Sequence, residues 1–597
     1  MGAMGSCAAG KKANGSGCVD SADDPGREPG RQNAHEKHEQ GIFVPHRADE
    51  LRALLRGAPG HELAGKFGGH AGLLVVLHHG DGARDAAVIN IVAVAALVPR
   101  GGEAGGNVAR HDDADLDAEG AHLTRERERI RAHGSLGGRV VRLKRNGDRR
   151  GNGAHVHDAA SALLPHDGQD CAVHVHHAEN GAVILFSPDD ALYPFIETSF
   201  EGLDTRRCQS PISGHHLTNV AITGQGCIDG NGEYWRPLKK QKVTAAQWKQ
   251  ITSRGGAFKR ADYWFPSEGA LKADNSANMN VPKTPASEEE WNEIKRFLRP
   301  VMISLVSCKN VWLNGVIFQN SPAWNIHPLM CENVLIEDVL VRNPSYAQNG
   351  DGLDLESCKN ALIVNSTFDV GDDGICIKSG KDADGRKRGI PCENVIVNGC
   401  TVFKGHGGFV VGSEMSGGVK NIKVSDCQFL GTDVGLRFKS TRGRGGVVEN
   451  IYIDNMSMFD IQTDVITFDL YYGGKSAVEV LNDGDEAKSQ KVQKFKVDET
   501  TPCFRNIDIN HVICRTARRA AYFNGLPEMP VSNIHIKDME VNNAEYGIVI
   551  NRTDGVKLEN IKVSAKNHTF DAKNSKNVTV NDKTYKKIDE KGITLDF

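Results

Sequence analysis

The ionisable side chains of this chain that are spaced for joint chemistry lie within residues 349–440. One set reads Asn349-Gly350-Asp351-Gly352-Leu353-Asp354-Leu355-Glu356-Ser357, and a second reads Gly371-Asp372-Asp373-Gly374-Ile375-Cys376-Ile377-Lys378-Ser379. Superposed, Asp351 falls on Asp373, Leu353 on Ile375, Leu355 on Ile377 and Ser357 on Ser379. The frame returns as His406-Gly407-Gly408-Phe409-Val410-Val411-Gly412-Ser413 and as Asp433-Val434-Gly435-Leu436-Arg437-Phe438-Lys439-Ser440. Packed carboxylates repel, so one keeps a proton that another releases, and such a pair supplies an acid and a base at one pH. Two cations on the last frame suit an anionic substrate lying beside those carboxylates. A lone Asp-Gly is mainly a turn signal. Four aligned frames carrying carboxylates, an imidazole and two cations are more than a series of turns.

The elements that position these groups follow from their alternation. Successive side chains of a strand face opposite sides, so Leu353/Leu355, Ile375/Ile377, Phe409/Val411 and Leu436/Phe438 share a buried face, and Arg437 and Lys439 point to the solvent side. Stacked as parallel rungs about 4.8 Å apart, the frames make Asp351 and Asp373 vertical neighbours with Asp372 beside them. His406 then follows Asp372 one rung on. An Asn followed by Val, Ile or Ala recurs at Asn310, Asn333, Asn360, Asn394, Asn421, Asn450, Asn506, Asn533 and Asn560, and repeats of this length with short strands mark a β-solenoid. The longest interval, from Asn450 to Asn506, fits two coils or one coil with an insertion. Cys308, Cys331, Cys358 and Cys392 each precede the repeated Asn by two residues, a register that predicts stacked free thiols without disulfides or metal. Cys376 is the outward partner of Asp354, which argues against a nucleophile.

Asn349-x-Asp351-Gly352, Gly371-Asp372-Asp373-Gly374, Gly405-His406-Gly407-Gly408 and Arg437-x-Lys439, in that order, resemble the four signature motifs of the polygalacturonase family of glycoside hydrolases. The resemblance covers residues 182–597 and implies an all-β, right-handed parallel β-helix that hydrolyses the galacturonate backbone of pectin with inversion. It makes Asp372 the general acid, gives Asp351 and Asp373 the attacking water, places His406 beside the acid, and assigns Arg437, Lys439 and Asn349 to the sugar. Acid and base would then stand about 6.5–9.5 Å apart, as inversion requires. Gly350 departs from the family's usual Thr. No metal or other cofactor is expected, and the family's enzymes are secreted or periplasmic, although no signal peptide is readable in this chain. The expected partner is a pectic polysaccharide or oligogalacturonide, and the expected state is a monomer. The rival readings are a relative acting on rhamnogalacturonan or xylogalacturonan, and a noncatalytic β-helix that binds carbohydrate.

Elsewhere the composition divides the chain near residue 181. The first 180 residues hold 16 of the 23 histidines but only two aromatics, Phe43 and Phe67. Residues 1–181 therefore read as a low-complexity, disordered segment or as out-of-frame text rather than a packed domain. His155, His157, His174, His176 and His177 match no closed metal-site spacing. The basic residues 139–150 lack aromatic interleaving, and a formal net charge of −4 predicts no affinity for nucleic acid. The longest apolar run, residues 87–98, is too short to span a membrane. Residues 233–299 break the repeat as a partly helical insertion whose Trp235, Tyr263, Trp264 and Phe265 wall a cleft or form its own small core. Further insertions at residues 382–388 and 473–502 predict a pocket closed at one end, and so action at chain ends. Tyr471 or Tyr472 stacks on sugar or, as strand tyrosines more often do, packs, and both are left out of the site.

Overall fold

Short apolar strands whose coils repeat through left-handed asparagines can bury their inward faces only against equivalent strands above and below. The computed structural model describes residues 183–597 apart from 279, 475, 476 and 479–492, together with the backbone of three short strands upstream, Leu74–Leu77, Asn90–Ile91 and Val94–Val98. The strands wind into a right-handed parallel β-helix. Its register can be followed along one column, in which Ile212, Ile303, Ile326, Leu353, Ile375, Phe409, Leu436, Ile466, Ala521, Ile548 and Phe570 pair in succession, every step parallel. All of these side chains are buried in one continuous core. The next inward position carries stacked rings, with Phe438 on Phe468 at 4.6 Å and Phe468 on Phe523 at 5.0 Å between centroids.

The repeated asparagine has a backbone cause. Asn310, Asn333, Asn360, Asn394, Asn421 and Asn450 all have φ between 57° and 59°, the left-handed region that Asn tolerates better than other side chains. Each amide donates to the Asn one coil earlier, over 2.8–3.4 Å, in a ladder that begins at Asn219. Ile451 pairs directly with Ile507, so the long interval after Asn450 is one coil with an insertion. The described cysteines are free and buried, and Cys331 and Cys358 touch through a 3.4 Å contact from the Cys331 amide to the Cys358 sulfur.

Both ends of the stack carry antiparallel strands. Lys583–Ile588 pairs with Ser575–Val580, and Ile593–Leu595 with Phe570–Lys573. At the other end the backbones of Leu74–Leu77, Asn90–Ile91 and Val94–Val98 run antiparallel to strands of the first coil. The rest of residues 1–181, with its expected lack of structure and its histidines, lies outside the described residues.

The insertion differs from the loop expected of it. Leu238–Lys239, Tyr263–Phe265 and Ala257–Arg260 form a small antiparallel sheet, joined by helices Ala245–Thr252, Glu268–Asp274 and Glu288–Glu293. Thr244 and Gln247 cap the first of these reciprocally, which stops its end from fraying. Trp235 and Phe265 pack with Tyr193 and Phe297, while Trp264 packs with Leu238 and Ile251. The aromatics thus build the insertion's own core, and Trp235, Tyr263 and Phe265 also reach the cavity described next. Among the described helices none is long and apolar enough to cross a membrane.

Candidate active site

Four successive rungs carry the predicted groups: Leu353–Glu356, Asp373–Lys378, Gly407–Gly412 and Val434–Lys439. Their register is the predicted one, with Leu353 on Ile375, Asp373 on Gly407, Ile375 on Phe409, Val410 on Arg437 and Gly412 on Lys439. As a result one carboxylate oxygen from each of Asp351, Asp372 and Asp373 lies within 4.8 Å of the others, about one rung spacing. His406 Nδ1 is 2.8 Å from Asp372 Oδ1, and the His406 amide donates to the Asp372 carbonyl at 2.9 Å. Gly405 permits that approach: a Cβ there would sit 2.5 Å from the Asp372 carbonyl oxygen, at a φ of 79°. Gly350, the departure from the usual Thr, lies against Ala347, whose Cβ would be 2.7 Å from any side chain there.

One expectation is corrected. Arg437 and Lys439 do leave the core on the outward side of their strand, but neither faces open solvent, since each is only 5% exposed. Lys439 Nζ donates to Asp373 Oδ2 at 2.6 Å, and Arg437 Nη1 lies 3.6 Å from Asp373 Oδ1 and donates to the His406 carbonyl at 3.1 Å. Lys439 thus pairs closely with Asp373, and Arg437 lies near it while bonding the His406 carbonyl. The 4.8 Å figure bounds the nearest approach of single oxygens on these carboxyls, a different quantity from the 6.5–9.5 Å carboxyl separation of an inverting pair.

The cluster lies in a cavity of about 270 Å³. Asp351, Asp372, Asp373, His406, Lys439 and Asn349 all line it, and Asn349 Oδ1 accepts from Arg299 at 2.8 Å. The insertion contributes Lys239, Lys242, Tyr263, Phe265 and Asn280, with Tyr263 hydroxyl donating to Gln348 at 3.4 Å. Residues 382–388 contribute no lining residue, contrary to expectation. They form a helix whose Arg388 reaches Glu356 at 2.6 Å. Of residues 473–502, Gly474 lines the cavity, and most of the remainder lies outside the described residues.

Several side chains at or beside the cavity were not foreseen. Tyr472, left out of the expected site, lines the cavity with its ring 5.0 Å from Lys439 Nζ and 5.5 Å from the Arg437 guanidinium. Lys378 is buried, donates to Glu414 at 2.9 Å, lies 3.4 Å from Asp354 and sits 4.5 Å over the Trp324 ring. The signal for Asp354 and Lys378 was present, since both occupy outward positions of the recurring frames. Lys242 had no such signal, because nothing in the repeat points to a residue of the insertion.

The electrostatics separate the carboxyls. Burial, then Asp354 and Asp372, push Asp351 well above the usual carboxylate range. Burial also pushes Asp354 up, more than Lys378 offsets. Burial acts on Asp372 in the same direction, but the His406 charge and hydrogen bond, aided by Lys439 and Lys242, outweigh it and hold Asp372 down. Burial opposes the charge of Lys439, yet Asp373 keeps it firmly protonated. Within the cluster Lys439 supplies the positive partner of Asp373.

Fold and site together define a β-helical protein that presents acid–base side chains on one outward sheet face. Residues 287–499 match the model of "Glycosyl hydrolases family 28". Among curated relatives, "Probable polygalacturonase" of Vitis vinifera is 26% identical over 61% of this chain and 62% of its own length. "Exo-poly-alpha-D-galacturonosidase" of Dickeya chrysanthemi is 27% identical over 49% and 48% of the two chains, and "Endo-polygalacturonase" of Pectobacterium carotovorum subsp. carotovorum 28% identical over 44% and 54%. The chain thus spans about half to three fifths of these relatives. The solved Yersinia enterocolitica family 28 exopolygalacturonase superposes with a TM-score of 0.53 at 18% identity, covering 68% of each chain, a likeness of fold.

Proposed function

We propose that this protein hydrolyses α-1,4-galacturonosidic bonds of polygalacturonate outside the cell, removing sugars from chain ends by acid–base catalysis with inversion. The observation that carries the proposal is the cavity holding Asp351, Asp372 and Asp373 within 4.8 Å, with Lys439 and Lys242 on its wall. A cavity of about 270 Å³ lies just below the ordinary range of ligand pockets, roughly 300–1,000 Å³. That size suits the end of a polymer better than a groove along it. Relatives carry both exo and endo names, so chain-end action rests on the cavity rather than on them.

Asp372 protonates the departing glycosidic oxygen, while Asp351 and Asp373 hold the attacking water between adjacent rungs. Lys439 and Arg437 steady Asp373 and attract the uronate, and Tyr472 covers both cations. Asn349, fixed by Arg299, contacts a sugar hydroxyl. The free-site electrostatics favour a second assignment, in which Asp351 carries the proton and Asp372 works as the base. The test is incubation with polygalacturonate while following reducing ends, product length and the anomer of fresh product by proton NMR. Monomer released first as the inverted anomer is expected. A ladder of oligomers would overturn chain-end action, the retained anomer would overturn inversion, and no release would overturn the hydrolase reading.

A further inference from the structure

His406 has two ring nitrogens and two different neighbours. Nδ1 is 2.8 Å from Asp372 Oδ1, and Nε2 is 3.4 Å from Lys242 Nζ. An ammonium group has hydrogens to give and no lone pair to receive one. The Lys242 contact is therefore a hydrogen bond only when Nε2 is unprotonated. Lys242 is not incidental to the fold: it ends the short turn Lys240–Lys242, directly after strand Leu238–Lys239 of the insertion's sheet. Leu238, Ile251 and Trp264 anchor that sheet in a small core against which Tyr346 packs, close in sequence to the first catalytic frame.

We propose that Lys242 is a positioning residue: it donates to His406 Nε2, holds the ring neutral with its proton on Nδ1, and so lets Asp372 carry the acid proton. The inference rests on the hydrolase reading above and says which residue sets the charge of that site. Among the described residues, charged groups act on His406 from the acid rung, the rung beyond it and the insertion. From the acid rung Asp372 favours the imidazolium, and from the rung beyond so does Asp433, whose half-buried carboxyl interacts with His406. From that same rung Arg437 opposes it, donating to the His406 carbonyl at 3.1 Å, and from the insertion Lys242 opposes it at the ring nitrogen itself. The chief influences holding Asp372 down are the charge and hydrogen bond of a protonated His406, while Lys242's own effect is a lesser one. A neutral ring removes the larger influence at the cost of keeping the smaller. Its Nδ1–H can still donate to one Asp372 oxygen while the other bears the proton.

The test uses the full chain labelled with 15N-histidine, with His406→Gln to assign the resonance. Wild type is expected to show a neutral His406 ring protonated at Nδ1 between pH 5 and 7. Lys242→Met should raise its titration midpoint by about 1 pH unit or more, as removal of a like charge at this range does, and Lys242→Arg should restore it. This readout needs no substrate, so it stands or falls apart from the hydrolase reading. On polygalacturonate, the acid limb of the kcat/KM profile of Lys242→Met should move up by the same amount. An unchanged titration, a wild-type ring protonated at Nε2, or a higher KM with an unmoved pH profile would each overturn the inference.

Discussion

Asp372→Asn isolates the acid from everything else that Asp372 does. Asn keeps the side-chain shape and the oxygen that accepts from the Asp373 amide at 3.0 Å and lies 2.8 Å from His406 Nδ1. The fold is therefore expected to survive, and what is lost is the proton delivered to the leaving group. A positioned acid contributes about 10²–10⁴-fold, or about 2.7–5.5 kcal/mol of barrier at about 1.36 kcal/mol per decade. Loss of that size should appear in reducing-end release from polygalacturonate, with thermal unfolding unchanged. An aryl galacturonide with an acidic phenol needs no protonation to depart, so on that substrate the loss should shrink to about tenfold or less. Equal losses on both substrates would refute the assignment of Asp372. The same pattern in Asp351→Asn instead would move the acid to Asp351, a carboxyl that burial holds well above the usual range.

Two further predictions concern stability. Asp354 is buried and its folded-state pKa is raised, chiefly by burial, above the unfolded value of about 3.9. Below about pH 4 both states are protonated and nothing is lost; above it only the unfolded chain releases the proton, costing wild type up to about 1.36 kcal/mol per pH unit until the folded pKa is passed. The stability of Asp354→Asn relative to wild type should therefore climb between pH 4 and 7 in thermal melts, and a pH-independent difference would refute the raised pKa. Asn360, with φ of 58°, accepts from Asn394 at 3.1 Å and donates to Asn333 at 3.2 Å. Asn360→Ala loses both bonds, at about 0.5–1.5 kcal/mol each, and adds about 1–2 kcal/mol of left-handed strain, whereas Asn360→Gly loses only the bonds. Urea denaturation should rank wild type above Gly above Ala, and the reverse order of the two variants would show that backbone strain is not the cause.

The solenoid and the pairing of its rungs were legible because two local signals agreed. The alternation Leu353/Leu355 on Ile375/Ile377 fixes which face is buried, and a slip by one residue would have sent every apolar side chain outward. The recurring Asn set the coil length. Asp351, Asp372, Asp373 and His406 could be grouped for the same reason. The burial of Arg437 and Lys439 was not legible, since strand alternation tells outward from inward and says nothing of what covers the outward side. The same gap hid Lys242 and Tyr472, which come from segments outside the repeat. The nearest approach of the acidic groups is set by the stacked rungs themselves.

That distance acts as a lattice constant. Neighbouring carboxylates hang from hydrogen-bonded strands, so lengthening a loop leaves their separation along the axis untouched. A different spacing is reached only by moving a residue to another rung, a jump of about 4.8 Å, or two places along a strand, about 6.6 Å. Evolution on this scaffold therefore changes catalytic geometry in quanta, and fine tuning must come from groups that lie outside the grid.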